Sequence, residues 1–418
     1  MNSKERLKTT LAHRNPDRIA VDFGATPVTG IHVLTIKKLR EYYGFRKIPV
    51  KVTEPYQMLG EVDPELMEAL GADIVGLNPR NNIMGFESKD WKEFRMWWGQ
   101  EVLVPRDFNT KIDSKGDLLL YPGGDRSAPP SARMPSTGYF FDTLIRQEPL
   151  VESNLNIEDN LEEFEPISDS DLEYWKMQVQ SVQNSDKGIV ANFGGTALGD
   201  IALVPAPFLK YPKGIRDIEE WYMSPLVRPD FVKELYDRQT DIAVANLKKL
   251  SDVVGNAIDV IYLCGNDFGT QHSTFCDLKG FREFYVPYYR KMTDWIHNNT
   301  QWKVFKHSCG AVEPLIEGFI EAGFDILNPV QVSAAGMNPS KLKEKYGDRL
   351  VFWGGGVDTQ KVLSFGSPED VRKQVNELCE IFSKQGGFVF NTIHNIQATV
   401  PVENIAAMIA TVKKYNLH

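Results

Sequence analysis

Eight short apolar runs punctuate this chain, and helical stretches separate most of them. The runs are centred near Ile19, Ile74, Ile189, Val260, Val304, Ile326, Val351 and Val389. Strands that alternate with helices pair in parallel. Eight such units point to a closed (β/α)8 barrel, an α/β fold that accepts long insertions. An open, doubly wound sheet is the structural alternative, but no G-x-G-x-x-G follows the first run.

Helix signals support the alternation. Ser3 reads as the cap of a first helix, Lys4 to His13. Ser367-Pro-Glu-Asp opens a later one, with Val371, Val375, Leu378 and Phe382 on its apolar face. From about Trp91 to Asp142 the pattern changes. Trp97-Trp98-Gly99, Val102-Leu103-Val104 and Leu118-Leu119-Leu120-Tyr121 read as short antiparallel strands, with turns at Gly116 and Gly123-Gly124-Asp125. An acidic stretch, Glu152 to Asp171, reads as a solvated connector. Residues 1–418 are therefore expected to form one barrel domain, with an insertion over about 91–171.

Composition removes several function classes. The formal net charge is -9 with no basic cluster to offset it, which argues against nucleic acid as a partner. No run approaches the roughly 18 apolar residues of a membrane span. Met1-Asn-Ser-Lys-Glu-Arg lacks the apolar core of a signal peptide. The chain has four cysteines, too few for a disulfide framework. The thiols are expected to be reduced and the compartment cytoplasmic.

Candidate chemistry gathers where the strands end, the rim that carries active sites in such barrels. Lys303-Val-Phe-Lys-His-Ser-Cys-Gly310 runs from a strand into a loop. Residues two apart in an extended segment share a face, so His307 and Cys309 project together. An imidazole beside a thiolate is a soft pair that suits zinc. His394, after the last strand, is the best third ligand, leaving a fourth position open as in catalytic zinc sites. The bland reading is a buried thiol beside two hydrogen-bonded histidines. Cys264 and His272 are rival ligands, and Cys276 and Cys379 read as packing residues.

Asp267 is a candidate acid/base, fourth ligand or hydrogen-bond acceptor for substrate, or equally a turn-former or helix cap. Gln331 is a candidate for orienting a substrate. Asn192, Asn266, Gln271, Asp358 and Gln397 are candidate substrate contacts. Gly354-Gly355-Gly356 offers amides for an anion, although a tight turn explains it as well.

Several of these motifs resemble the uroporphyrinogen decarboxylase superfamily. They are Lys4-Glu5-Arg6 with Asn15-Pro16-Asp17-Arg18, His307-Ser308-Cys309-Gly310, Gly354 to Asp358, and Pro401-Val402-Glu403-Asn404-Ile405. The resemblance implies a (β/α)8 barrel. The superfamily holds a tetrapyrrole decarboxylase and zinc methyltransferases that move a methyl group between a corrinoid and a thiol. The decarboxylase grips carboxylates with an arginine-rich loop near its N-terminus, whereas the corresponding loop here, Ala25-Thr-Pro-Val-Thr-Gly30, has no arginine. The methyltransferases carry His-x-Cys and a late Cys, and here His394 stands in the place of that Cys.

The implied cofactors are zinc and a corrinoid, the latter as methylcobalamin or carried on a corrinoid protein. A small methyl donor or acceptor and a second copy of the chain, as a homodimer, are the other partners in view. A decarboxylase-type lyase on a tetrapyrrole and a non-catalytic corrinoid-binding barrel are the competing readings.

Overall fold

A computed structural model describes residues 1–161 and 164–415. Glu162 and Glu163 of the acidic stretch lie outside the described residues.

The eight expected runs all form strands. They are β1 (Ala20–Val21), β2 (Ile74–Leu77), β3 (Gly188–Ala191), β4 (Val260–Cys264), β5 (Lys303–His307), β6 (Ile326–Asn328), β7 (Val351–Trp353) and β8 (Phe388–Phe390). They lie in one sheet of order β1-β8-β7-β6-β5-β4-β3-β2, and every pairing is parallel. The remaining seam, between β1 and β2, is bridged by Asp73. Its backbone N–H donates to the Val21 carbonyl at 2.7 Å, and its Oδ2 accepts from the Val21 amide at 3.0 Å. The sheet thus curls into a (β/α)8 barrel.

Period-two alternation fills the barrel. Val190, Val260, Tyr262, Phe305, Ile326, Val351, Trp353 and Val389 form an interior cluster. The other faces pack on the helices, including Pro229–Val254, Val286–Asn299 and Pro368–Phe382. Phe305 points inward, so His307, two residues on, points inward at the rim. Lys306 between them is completely buried on the outer face, with its Nζ 4.9 Å from the Phe268 ring.

Two differences from expectation have local causes. Asn2, not Ser3, caps the first helix (Ser3–Leu11), in a capping box with Glu5; the Ser3 hydroxyl donates to Asp73 instead. The insertion forms two small sheets. Thr110–Ile112, Leu118–Leu120, Ala132–Met134 and Asp142–Thr143 make the antiparallel meander. Lys92–Arg95 and Glu101–Val104 join Val50–Glu54 and Leu59–Gly60 from before the expected span, and the Val50–Glu54/Glu101–Val104 pair is parallel. Pro49 and Pro55 flank Val50–Glu54 and mask it as a strand in the sequence.

The acidic stretch is more than a solvated connector. Ile157, Leu161 and Phe164 are buried, and the Asn160 carbonyl accepts from Gln239 on the long helix Pro229–Val254. Among the described residues, no helix is long and apolar enough to cross a membrane. All four cysteines are free.

Candidate metal centre

The strand register builds this site. β5 and β6 pair so that His307 lies opposite Asn328. Asn328 Nδ2 donates to the Trp353 carbonyl at 2.7 Å, which fixes the amide with its Oδ1 toward His307. His307 Nδ1 lies 2.6 Å from that Oδ1. An amide oxygen only accepts, so the His307 ring proton sits on Nδ1 and Nε2 is a free lone pair. Orientation of a ligand imidazole through its second nitrogen is the usual arrangement at metal sites.

Cys309 lies just beyond. Its backbone N–H donates to Asp267 Oδ1 at 2.7 Å, and its Sγ is 3.4 Å from His307 Nε2. His394 closes the group from the loop after β8. Its ring centroid is 5.2 Å from that of His307. One ligand atom each from His307, Cys309 and His394 lie within 4.8 Å of one another.

His394 has a left-handed backbone, φ 66°, unusual for a residue with a side chain. Its neighbour Asn395 is clamped on three sides. Asn395 Oδ1 accepts from the Gly30 amide, and its Nδ2 donates to the Pro27 carbonyl and to Gln57 Oε1. Gln57 belongs to the turn between Val50–Glu54 and Leu59–Gly60. The small sheet that the insertion shares with Val50–Glu54 and Leu59–Gly60 thereby reaches the rim and braces the ligand loop.

The electrostatics favour neutral imidazoles. Burial holds the His307 ring down at about 4. Burial and the neighbouring His307 hold His394 down at about 3. Burial, then Asp267 beside it, pushes the Cys309 thiol well above the ordinary thiol range. Burial also raises the Asp267 carboxyl. A cation at this point would reverse the penalty on the thiolate.

The donor set fits zinc in type and in spacing. Tetrahedral zinc with ordinary Zn–N and Zn–S bonds places its ligand atoms roughly 3.3–3.6 Å apart. The Sγ–Nε2 distance of 3.4 Å already matches this. His307 is preset for ligation. His394 is not, because its Nδ1 accepts from the Asn395 amide at 2.8 Å, which puts the proton of the neutral ring on Nε2. Ligation by His394 displaces either that proton or that amide contact.

Cys309 and His394 line a chamber of about 280 Å³ together with Gln271 and Gln331. Gln331 Oε1 accepts from the Gly310 amide at 2.7 Å. Asp267 stands beside the donors, its Oδ1 3.6 Å from His307 Nε2.

The remaining sequence candidates hold up the loops. Asn192 Oδ1 accepts from the Gly194 amide, Asn266 Nδ2 donates to the Leu198 carbonyl, and Asp358 Oδ1 accepts from the Gln360 and Lys361 amides. Gln397 receives Thr35 Oγ1 on its backbone carbonyl. Cys264 is buried and outside the donor group, and His272 lies on the outer rim. In the glycine run, the Gly354 and Gly356 amides are bonded to the Val389 and Asn391 carbonyls. A Cβ on Gly354 would sit 2.4 Å from the Pro329 carbonyl oxygen, so close approach accounts for a glycine there.

Sequence reasoning gave no role to Asn328 or Asn395. Asn328 was visible as a polar strand end, but its role depends on the β5/β6 register.

Comparison with known proteins is consistent with this architecture. A uroporphyrinogen decarboxylase from Methylococcus capsulatus is 26% identical over 101 residues, which is 24% of this chain. The match covers 27% of the length of that relative. A methyltransferase from Methanosarcina mazei shares the fold, with a TM-score of 0.54 and 16% identity over 99% of each chain. The family model for uroporphyrinogen decarboxylase matches residues 146–415, well over half of the sequence, and the chain belongs to that family.

Proposed function

We propose that this protein is a zinc-dependent methyltransferase that moves a methyl group between a corrinoid, free or carried on a partner protein, and a thiol or similar small acceptor. The observation that carries this reading is the convergence of His307, Cys309 and His394 at the open end of the barrel. Bound there, zinc would lower the pKa of a substrate thiol and make it a nucleophile near neutral pH.

The chain's own residues do the rest. Asn328 holds the His307 tautomer. Asp267 positions Cys309 through its backbone amide and is the acidic group nearest the donors. Gln331 and Gln271 line the space where the substrate sits. The loop Ala25–Gly30 carries no arginine, and Pro27 and Gly30 are taken up by Asn395. A porphyrinogen covered in carboxylates lacks its grip there, which favours methyl transfer over decarboxylation.

The assay is methyl transfer from methylcobalamin to a panel of thiols, followed by the spectral change of the corrinoid. Zinc-loaded protein is expected to turn over, and chelation is expected to abolish turnover. Metal-independent loss of carbon dioxide from a porphyrinogen, with no demethylation of the corrinoid, would instead support the lyase.

A further inference from the structure

The donors and the chamber beside them leave two polar side chains of the barrel mouth without a role. Tyr262 of β4 belongs to the interior cluster and pairs with Phe305 of β5, two residues before His307. Its ring is 5.4 Å from that of Phe305, which is 5.3 Å from that of Trp353, so the three form the layer beneath His307. Phe305 and Trp353 are completely buried, whereas Tyr262 is 7% exposed. The Tyr262 hydroxyl has no hydrogen-bond partner among the described residues. A phenol buried to this degree ordinarily finds one.

Asp200, in the loop after β3, reaches the same point. Its Oδ1 accepts from the Ala202 amide at 2.9 Å. A Cβ placed on Gly265 would lie 2.5 Å from Asp200 Oδ2 and 2.5 Å from the Tyr262 hydroxyl. The two oxygens thus converge on one small space, and only a residue without a side chain leaves that space open. This notch adjoins the donors. Gly265 stands two residues before Asp267, whose Oδ1 is 3.6 Å from His307 Nε2. Burial, then Asp200, raises the Tyr262 phenol above its ordinary range, and Asp267 and Cys309 add to the effect. Burial also raises the Asp200 carboxyl, to about 6. A ligand hydroxyl both donates and accepts, so it serves the pair whether Asp200 is ionised or not. A methyl group of the same size leaves both oxygens unpaired.

We infer that Asp200 and Tyr262 form a second subsite of the barrel mouth, which binds a hydroxyl group on the small molecule whose reacting atom meets the metal donors. The two side chains act as specificity residues, and Gly265 keeps their notch open. The inference rests on the barrel mouth being the substrate site, and it names the substrate class as a short hydroxyalkyl thiol.

The test is independent of metal and of turnover. Chelator-treated, full-length protein is equilibrated with an equimolar mixture of bis(hydroxyethyl) disulfide and dipropyl disulfide, with a trace of both thiols to allow exchange. The hydroxyethyl and propyl groups match in size and carry no charge, so neither Asp267 nor a metal enters the comparison. The ratio of the two mixed disulfides on Cys309 is read by peptide mass spectrometry, with glutathione as the reference thiol. The hydroxyethyl group is expected to be favoured at Cys309 by at least about tenfold over the reference ratio. Tyr262→Phe keeps the ring and removes the hydroxyl, and is expected to cut that preference at least about fivefold. Gly265→Ala fills the notch, and is expected to bring the ratio to within about twofold of the reference.

A wild-type ratio equal to the reference would mark the notch as a site for water and overturn the inference. So would a preference that either variant, shown to be folded by circular dichroism, leaves unchanged, or a Cys309 that forms neither mixed disulfide. Zinc uptake is measured on separate samples. A protein that takes no zinc yet keeps the hydroxyl preference sinks the methyltransferase reading and spares this one. A protein that takes zinc and shows no preference does the reverse.

Discussion

Replacing Asp73 by Ala is expected to remove about 3–5 kcal/mol of folding stability, because it strips a buried ion network of its only fully buried carboxylate. Asp73 is completely buried. Its Oδ1 accepts from Arg6 Nη1, Arg18 Nη2 and Ser3 Oγ, each at 2.7 Å. Its Oδ2 accepts from Arg18 Nη1 at 2.7 Å and from the Val21 amide at 3.0 Å. The side chain therefore works as a rung of the barrel, joining β1 to the start of β2 where no ladder runs. Without it, Arg6, whose side chain is 6% exposed, keeps only Asp17 for its charge. Urea unfolding of the two proteins measures the effect, and a loss below about 1 kcal/mol would show that the seam is held by other contacts.

Cys309→Ser is expected to lower methyl transfer by about a thousandfold or more. A hydroxyl does not ionise near neutral pH, so the one anionic donor of the group is lost. A metal's contribution of several kcal/mol at the reacting centre corresponds to about three decades in rate. The backbone amide of residue 309 still reaches Asp267, so the fold and its stability should change little. Circular dichroism and urea unfolding separate the two effects. Near-normal turnover with a serine at this position would remove Cys309 from the machinery.

The barrel was legible in the sequence because its signal is local. Each strand is a short apolar run, each helix has its own cap, and the count of eight follows. The grouping of His307, Cys309 and His394 was legible for a related reason. Period two puts the first two on one face, and a closed barrel brings the ends of β5 and β8 to one rim.

What the sequence concealed depends on register and on packing between distant elements. Asn328 holds His307 only because β6 pairs with β5 in one particular offset. Asp73 closes the barrel only because it meets Val21 across the seam. Lysine is rarely buried, and nothing in the sequence pointed to the burial of Lys306. Its neighbour His307 claims the inner face, so Lys306 is turned outward under the helices, near the rings of Phe268, Tyr289 and Phe319. The side chains of Asp358 and Asn192, both candidate substrate contacts, also accept from backbone amides of their own turns.

The central claim is that three side chains from two strand ends hold one metal. The direct measurement is the zinc content of purified protein after loading and desalting, for the wild type and for His307→Ala, Cys309→Ser and His394→Ala. The expected result is about one zinc per wild-type chain and a loss of most of it in each variant. A wild-type protein that takes up no zinc from excess metal, or a His394→Ala variant that keeps its full content, would contradict the three-ligand site.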